Sequence, residues 1–245
     1  RNTADKKAVV LNKLNFQSES DISADLRFTH LFITEATPGS KPVALTSGFY
    51  SFGNASFSDD GRRVVFSGNT DSTQHPDRAL ESQLFSALPD GSQRRLLLGE
   101  KDRRYFSPRL SPDGRWVAFL YSATSFVSTP HLGIMPVDGT AKEIITIPFD
   151  KSASSLTWTK DGQSIYLSAP SNGGVVIYRV AIKTRRVEAL TGNDSGCGNF
   201  DIAGNKLAYI KTAVHNPFEV YVADINGRNE KRVTDFNQHW IQQKQ

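Results

Sequence analysis

The chain has 245 residues, 38% of them hydrophobic and 22% charged, which is enough to bury the core of one large domain. Its net charge of +4 is scattered in pairs such as Arg94-Arg95, Arg103-Arg104, Arg185-Arg186 and Lys231-Arg232. Such pairs are expected at the ends of outer strands as solvated edge protection, which argues against a nucleic-acid surface. No apolar run is long enough to span a bilayer, so no membrane partner is expected, and the first residues lack the basic, apolar and small-residue succession of a signal peptide. A single cysteine, Cys197, excludes an internal disulfide framework and leaves a cytoplasmic and a periplasmic setting equally open.

Taken in order, residues 1–20 hold one apolar strand, Ala8 to Leu11, followed by a polar link to a hairpin that begins at Leu31. The next stretches repeat. Phe57–Phe66 (FSDDGRRVVF), Leu110–Phe119 (LSPDGRWVAF), Trp158–Leu167 (WTKDGQSIYL) and the degenerate Phe200–Tyr209 (FDIAGNKLAY) start 53, 48 and 42 residues apart. Each is predicted as a tight antiparallel hairpin. In Ser111-Pro112-Asp113-Gly114, proline supplies the φ that the second turn position requires, and glycine tolerates a left-handed fourth position. In the strand that follows, Trp116, Ala118 and Leu120 alternate with Val117 and Phe119, so both faces are apolar and both should be covered.

A second repeat is interleaved with the first: Leu31–Thr46, Leu84–Leu97, Leu132–Ile145, Val176–Thr191 and Glu219–Thr234. Each is a strand, a polar or glycine-bearing turn and a strand, with polar residues on one face. One unit is therefore four antiparallel strands, the first pair buried and the second pair more exposed. Units of this kind at a period of about 40–50 residues predict an all-β fold, a β-propeller. Four full blades are expected near residues 50–98, 104–147, 152–191 and 196–234, with a partial blade in 1–49. The strand before each buried turn should be innermost, because its residues are mostly small (Asn54-Ala55-Ser56, Ser107-Pro108, Ser154-Ser155, Gly196-Cys197-Gly198) and blades crowd at the axis.

Three stretches carry a family resemblance: Thr29–Asn69, Leu190–Ile210 and, the most specific, Asn216–Trp240 (NPFEVYVADINGRNEKRVTDFNQHW). The last contains a Pro-x-Glu-Val-Tyr run, an Asp-x-x-Gly turn and a Thr-Asp-x-Asn close. Together they resemble the C-terminal part of the propeller of prolyl-oligopeptidase family serine peptidases, the acylaminoacyl-peptidase and dipeptidyl-peptidase branch. The resemblance implies a propeller over residues 1–234 that gates short peptides to an α/β-hydrolase domain of the same polypeptide, with 235–245 leading toward that domain. Peptide substrate and hydrolase domain are the partners it implies. No cofactor and no metal are expected.

The Gly-x-Ser-x-Gly nucleophile elbow of such peptidases is not in this sequence. Gly192 and Gly196 have the spacing, but Asp194 lies midway between them. The catalytic residues are thus expected outside this chain. Asn193-Asp194-Ser195-Gly196 suits a turn between blades, and His30, His75, His131, His215 and His239 lack paired ligand spacing. Glu219 is the one substrate-contact candidate, since some family propellers hold a substrate amino terminus with acidic residues, although its place in the closing motif also suits a structural role. The link Gly68–Ser82 is long enough to line an entrance. An incomplete ring leaves edge strands that invite pairing with another chain. Periplasmic Tol-system propellers, which act through protein contact and also carry Ser-Pro-Asp-Gly turns, are the alternative family.

Overall fold

A computed structural model describes residues 27–73, 75, 80–125, 127–139, 145–214 and 216–239. The predicted strand Ala8–Leu11, the middle of the Gly68–Ser82 link, and His215 lie outside these residues. Among the described residues the elements are β-strands, with a helical assignment at Gln238 and His239. A two-stranded hairpin, β1 (Phe32–Ile33) with β2 (Val43–Ala44), precedes four antiparallel meanders. The first is β3 (Ser51–Phe57), β4 (Val64–Asn69), β5 (Gln83–Ala87) and β6 (Arg95–Leu98). The second is β7 (Arg103–Leu110), β8 (Trp116–Ala123), β9 (His131–Pro136) and β10 (Ile145–Thr146). Then come β11 (Ser154–Trp158), β12 (Ser164–Ser171), β13 (Gly174–Ala181) and β14 (Val187–Ala189). Last are β15 (Gly196–Ala203), β16 (Lys206–Ala213), β17 (Asn216–Asp224) and β18 (Lys231–Arg232). These two meanders are joined into one sheet by a single parallel pair, Val175 with Gly196.

The inner turns form as their residues dictate. Ser58, Ser111 and Thr159 each accept, at the carbonyl, the N–H of the glycine three positions on, at 2.9, 2.8 and 2.9 Å. Gly61, Gly114 and Gly162 are left-handed, with φ of 69°, 66° and 67°, a conformation that glycine alone takes without cost. The same Ser and Thr hydroxyls donate to Asp60, Asp113 and Asp161 at 2.6, 2.5 and 2.6 Å.

Alternation along the strands then builds the core between sheets. Val117 and Phe119 of β8 pack with Val65 and Leu84 of the preceding sheet. Ala118 and Leu120 pack with Ile165, Leu167 and Val176 of the following one. In β12 the same alternation sends Tyr166 to the last sheet, against Leu207 and Tyr209. The expectation that the strand after Gly114 is covered on both faces therefore holds, and β4 and β12 share that burial, whereas one face of β16 is half-exposed.

Two expectations need correction. The contrast between a buried first pair and a more exposed second pair does not hold: β5 is buried from its second residue onward and β9 over Leu132–Met135, whereas the first strands β3, β7, β11 and β15, like the fourth strands, are largely half-exposed or exposed. β5 and β9 have a strand on each side within their sheets and a packed cluster on each face, whereas a fourth strand has solvent along one edge. Arg103-Arg104 departs from the outer-strand placement: it opens β7, a first strand at the other edge of its sheet, where both residues are exposed.

Candidate functional site

The first strands β3, β7, β11 and β15 touch one another in sequence and form the inner lining of the stack. Each carries a bulge at the same place, with a register shift across Gly53/Ser56, Phe106/Arg109, Ser154/Thr157 and Gly198/Phe200. Within each bulge lies a non-glycine residue of positive φ: Asn54 (53°), Ser107 (52°), Ser155 (56°) and Asn199 (42°). Such residues cost free energy unless the fold imposes them. The Ser107 N–H donates to Asn54 Oδ1 at 3.5 Å, joining one bulge to the next.

Adjacent sheets are also strapped by backbone. The carbonyls of Thr29, Ser82 and Pro130 accept from the N–H groups of Phe52, Tyr105 and Ala153 at 2.8, 3.2 and 3.3 Å, and in each case the partners are 23 residues apart. In the last pair of sheets the direction reverses, and the Val175 N–H donates to the Ser195 carbonyl at 3.2 Å. Gly174 permits that approach, since a Cβ there would lie 2.4 Å from the same carbonyl oxygen.

Beyond the bulges, on the side of the inner turns, residues from all four meanders enclose a cavity of about 670 Å³. Its wall includes Phe57, Pro112, Trp158 and Tyr166 as well as the half-buried Arg109 and Arg179. Trp158 Nε1–H donates to the Arg109 carbonyl at 3.0 Å, and the Tyr166 hydroxyl donates to the Ile225 carbonyl at 2.6 Å, so both rings are fixed across sheets. Burial holds the Tyr166 hydroxyl above its ordinary pKa, so it stays a neutral donor. Nothing in the repeat pattern marks Arg109 or Arg179 as wall residues. The available signal was an arginine interrupting the apolar run of β13, VVIYRVA. A second cavity of about 410 Å³ lies against β3, β4 and Phe106, with Asn54, Asp71 and Glu81 on its wall. It takes in the first part of the Gly68–Ser82 link.

Glu219 lies in β17, only 2% exposed, and lines neither cavity. The Thr234 hydroxyl donates to its Oε2, and the Asn237 N–H and side-chain amide donate to Oε1 at 2.8 and 3.2 Å. Asn237 also donates to the Phe218 carbonyl at 2.9 Å. The Thr234 hydroxyl is the main reason the Glu219 carboxyl sits below its ordinary pKa, followed among the lowering effects by the Asn237 N–H. Cys197 is fully buried beside Leu207 and Tyr209. Ser195, in the turn before β15, is buried with its hydroxyl 3.7 Å from the Cys197 sulfur. Of the other candidates, the His30 ring lies 3.3 Å from the Thr46 hydroxyl and His131 packs against Tyr121.

No protein-family model matches the sequence, and no curated protein matches it significantly. Solved structures do match. TolB from Acinetobacter baumannii is 18% identical with a TM-score of 0.62, over 84% of this chain and 48% of that one. A puromycin-hydrolyzing peptidase from Mycobacterium tuberculosis is 17% identical with a TM-score of 0.64, over 85% of this chain and 38% of that one. An oligogalacturonate lyase from Vibrio parahaemolyticus is 13% identical with a TM-score of 0.61, over 80% of this chain and 57% of that one. The fold is a β-propeller fold. At these identities the likeness extends to the fold alone, and this chain spans about half or less of the TolB and peptidase chains.

Proposed function

We propose that the chain is part of the propeller domain of a prolyl-oligopeptidase-type serine peptidase, in the acylaminoacyl- or dipeptidyl-peptidase branch. In this reading residues 1–234 belong to the propeller, and 235–245 lead to an α/β-hydrolase domain on the same polypeptide. The propeller selects short peptides by size, and the chemistry, acyl transfer to serine and then to water, belongs to the hydrolase domain. The observation that carries this reading is the Glu219 clasp. It binds the two halves of the most specific resemblance, Pro217-Phe218-Glu219 and Thr234-Asp235-Phe236-Asn237, into one hydrogen-bonded unit. A substrate ammonium reaching Glu219 would have to displace Thr234 and Asn237.

The test begins with the gene. A Gly-x-Ser-x-Gly encoded within roughly two hundred residues beyond Gln245, and labelling of that serine by a fluorophosphonate in the full-length protein, are the expected results. A stop codon close behind Gln245 would sink the reading. The likeness to TolB supports a second one, a propeller that acts through protein contact alone. That reading expects no labelled serine and a stable complex with a protein partner.

A further inference from the structure

The 670 Å³ cavity contains two guanidinium groups whose hydrogen bonds go to uncharged oxygens. Arg109 donates through Nη1 to the Pro108 carbonyl at 2.9 Å, and Arg179 through Nε to the Ser164 hydroxyl at 3.1 Å. The ion pairs Asp60–Arg62, Asp113–Arg115, Lys206–Asp224 and Lys211–Glu230 involve neither cavity arginine. A guanidinium offers five donors in a planar fork, and most of that capacity is unused at both positions.

Two carboxylates share the wall; Asp161 lies near enough to Arg179 to feel its charge, and Glu188 of β14, exposed, stands opposite Arg179 in the strand register, but neither forms an ion pair with it. Asp161 Oδ1 accepts from the Thr159 hydroxyl and the Gln163 N–H at 2.6 and 2.9 Å, and Asp59 is exposed. With Lys160, the cations on the wall outnumber the carboxylates by three to two. Beside the arginines stand the fixed ring of Trp158 and the ring of Phe57, apolar surfaces that a bare inorganic anion would not use.

We propose that this cavity binds a small organic carboxylate, with the carboxylate on Arg109 and Arg179 and the attached chain against Trp158 and Phe57. Guanidinium forks match a carboxylate in two-point geometry, and a space of this size accommodates a peptide of about three residues with a free C-terminus. The site lies among the inner turns of the propeller and exists with or without a hydrolase domain, so its test is independent of the peptidase reading.

The test is calorimetric titration of the 245-residue chain with N-acetyl-trialanine, with its C-terminal amide and with inorganic phosphate. The acid is expected to bind and the amide to bind at least about tenfold more weakly. Arg109→Gln and Arg179→Gln should each weaken the acid by about tenfold. Arg179→Lys, which keeps charge and a donor for Ser164 but loses the fork, should also weaken it. It guards against a folding defect in the glutamine variant, and thermal midpoints of all variants are read alongside. Binding of the acid should also change tryptophan fluorescence, and the change should disappear in Trp158→Phe. Failure of the acid to bind, equal binding of acid and amide, or undiminished binding in folded arginine variants would overturn the proposal. So would phosphate binding as tightly as the acid, because the apolar wall would then contribute nothing.

Discussion

A hydroxyl and a carboxylate two positions apart lock three of the four inner turns, and this makes those turns sensitive to acid. The Asp113 carboxyl is held down to about 2, chiefly by the Ser111 hydroxyl and further by the Arg115 N–H and guanidinium. Asp60 and Asp161 are lowered in the same way, by Ser58 and Thr159 first. A depressed carboxyl stabilises the fold above its unfolded pKa of about 4 and loses that contribution as the pH falls through its folded value. Thermal midpoints should therefore fall between about pH 4 and pH 2, and Asp113→Asn should flatten that fall while lowering the midpoint at neutral pH. An unchanged acid limb would remove Asp113 from the account. Two further residues carry local costs. The Ser86 hydroxyl is fully buried with no partner among the described residues, so Ser86→Ala should raise stability by about 1 kcal/mol in denaturant titrations. Ser155 adopts a left-handed conformation that asparagine tolerates better, as Asn54 and Asn199 do at equivalent bulges. Ser155→Asn should be neutral or stabilising by up to about 1 kcal/mol, whereas Asn54→Val should destabilise by about 1–2 kcal/mol.

Strands buried on both faces respond most to truncation. Phe119 lies in β8 with no exposed surface, and Phe119→Ala is expected to cost about 3–5 kcal/mol by urea unfolding. Gly174→Ala attacks a strap in place of the core, by driving a methyl group against the Ser195 carbonyl, and should cost about 1–3 kcal/mol. At this scale the sequence was informative where side chains set the geometry. Pro112, Asp113 and Gly114 announce their turn, and the alternation Trp116-Val117-Ala118-Phe119-Leu120 announces a strand covered twice. It was silent where backbone sets the geometry. The 23-residue straps use N–H and C=O groups that every residue carries, so Thr29, Ser82 and Pro130 share no side-chain pattern. The bulges were legible only as small residues near an axis, because Asn54, Ser107, Ser155 and Asn199 have a conformation in common and not an identity. In the cavity, Trp158 carries the signature of a repeat position and nothing local marks Arg109. Only the folded sheets bring residues 49 positions apart into contact.

Across the whole molecule, buried clusters alternate with sheets, so each sheet is stabilised mainly by its immediate neighbours. Among the described residues the last meander has a packed neighbour on one face. Leu207, Tyr209 and Ala223 point into the shared cluster, while Ala208, Ile210, Val220 and Val222, registered together on the other face, remain half-exposed. Phe218 and Val233 are 68% and 56% exposed. The isolated chain is therefore expected to self-associate, with a mass by light scattering that rises with concentration and that Val222→Lys returns toward the monomer. A concentration-independent monomer would contradict this. The same bulges that shape the inner wall decide where such association cannot occur. The first strands β3, β7 and β11 lie at sheet edges, and β15 is paired beyond its own meander at Gly196 alone; a straight edge of that kind would be a template on which a stray strand, and eventually a fibril, could grow. Each of the four is interrupted midway by a residue that breaks the row of regularly spaced donors and acceptors, so an incoming strand finds no continuous register to copy. The residues that look most strained in the fold thus serve as built-in stops to polymerisation along the axis.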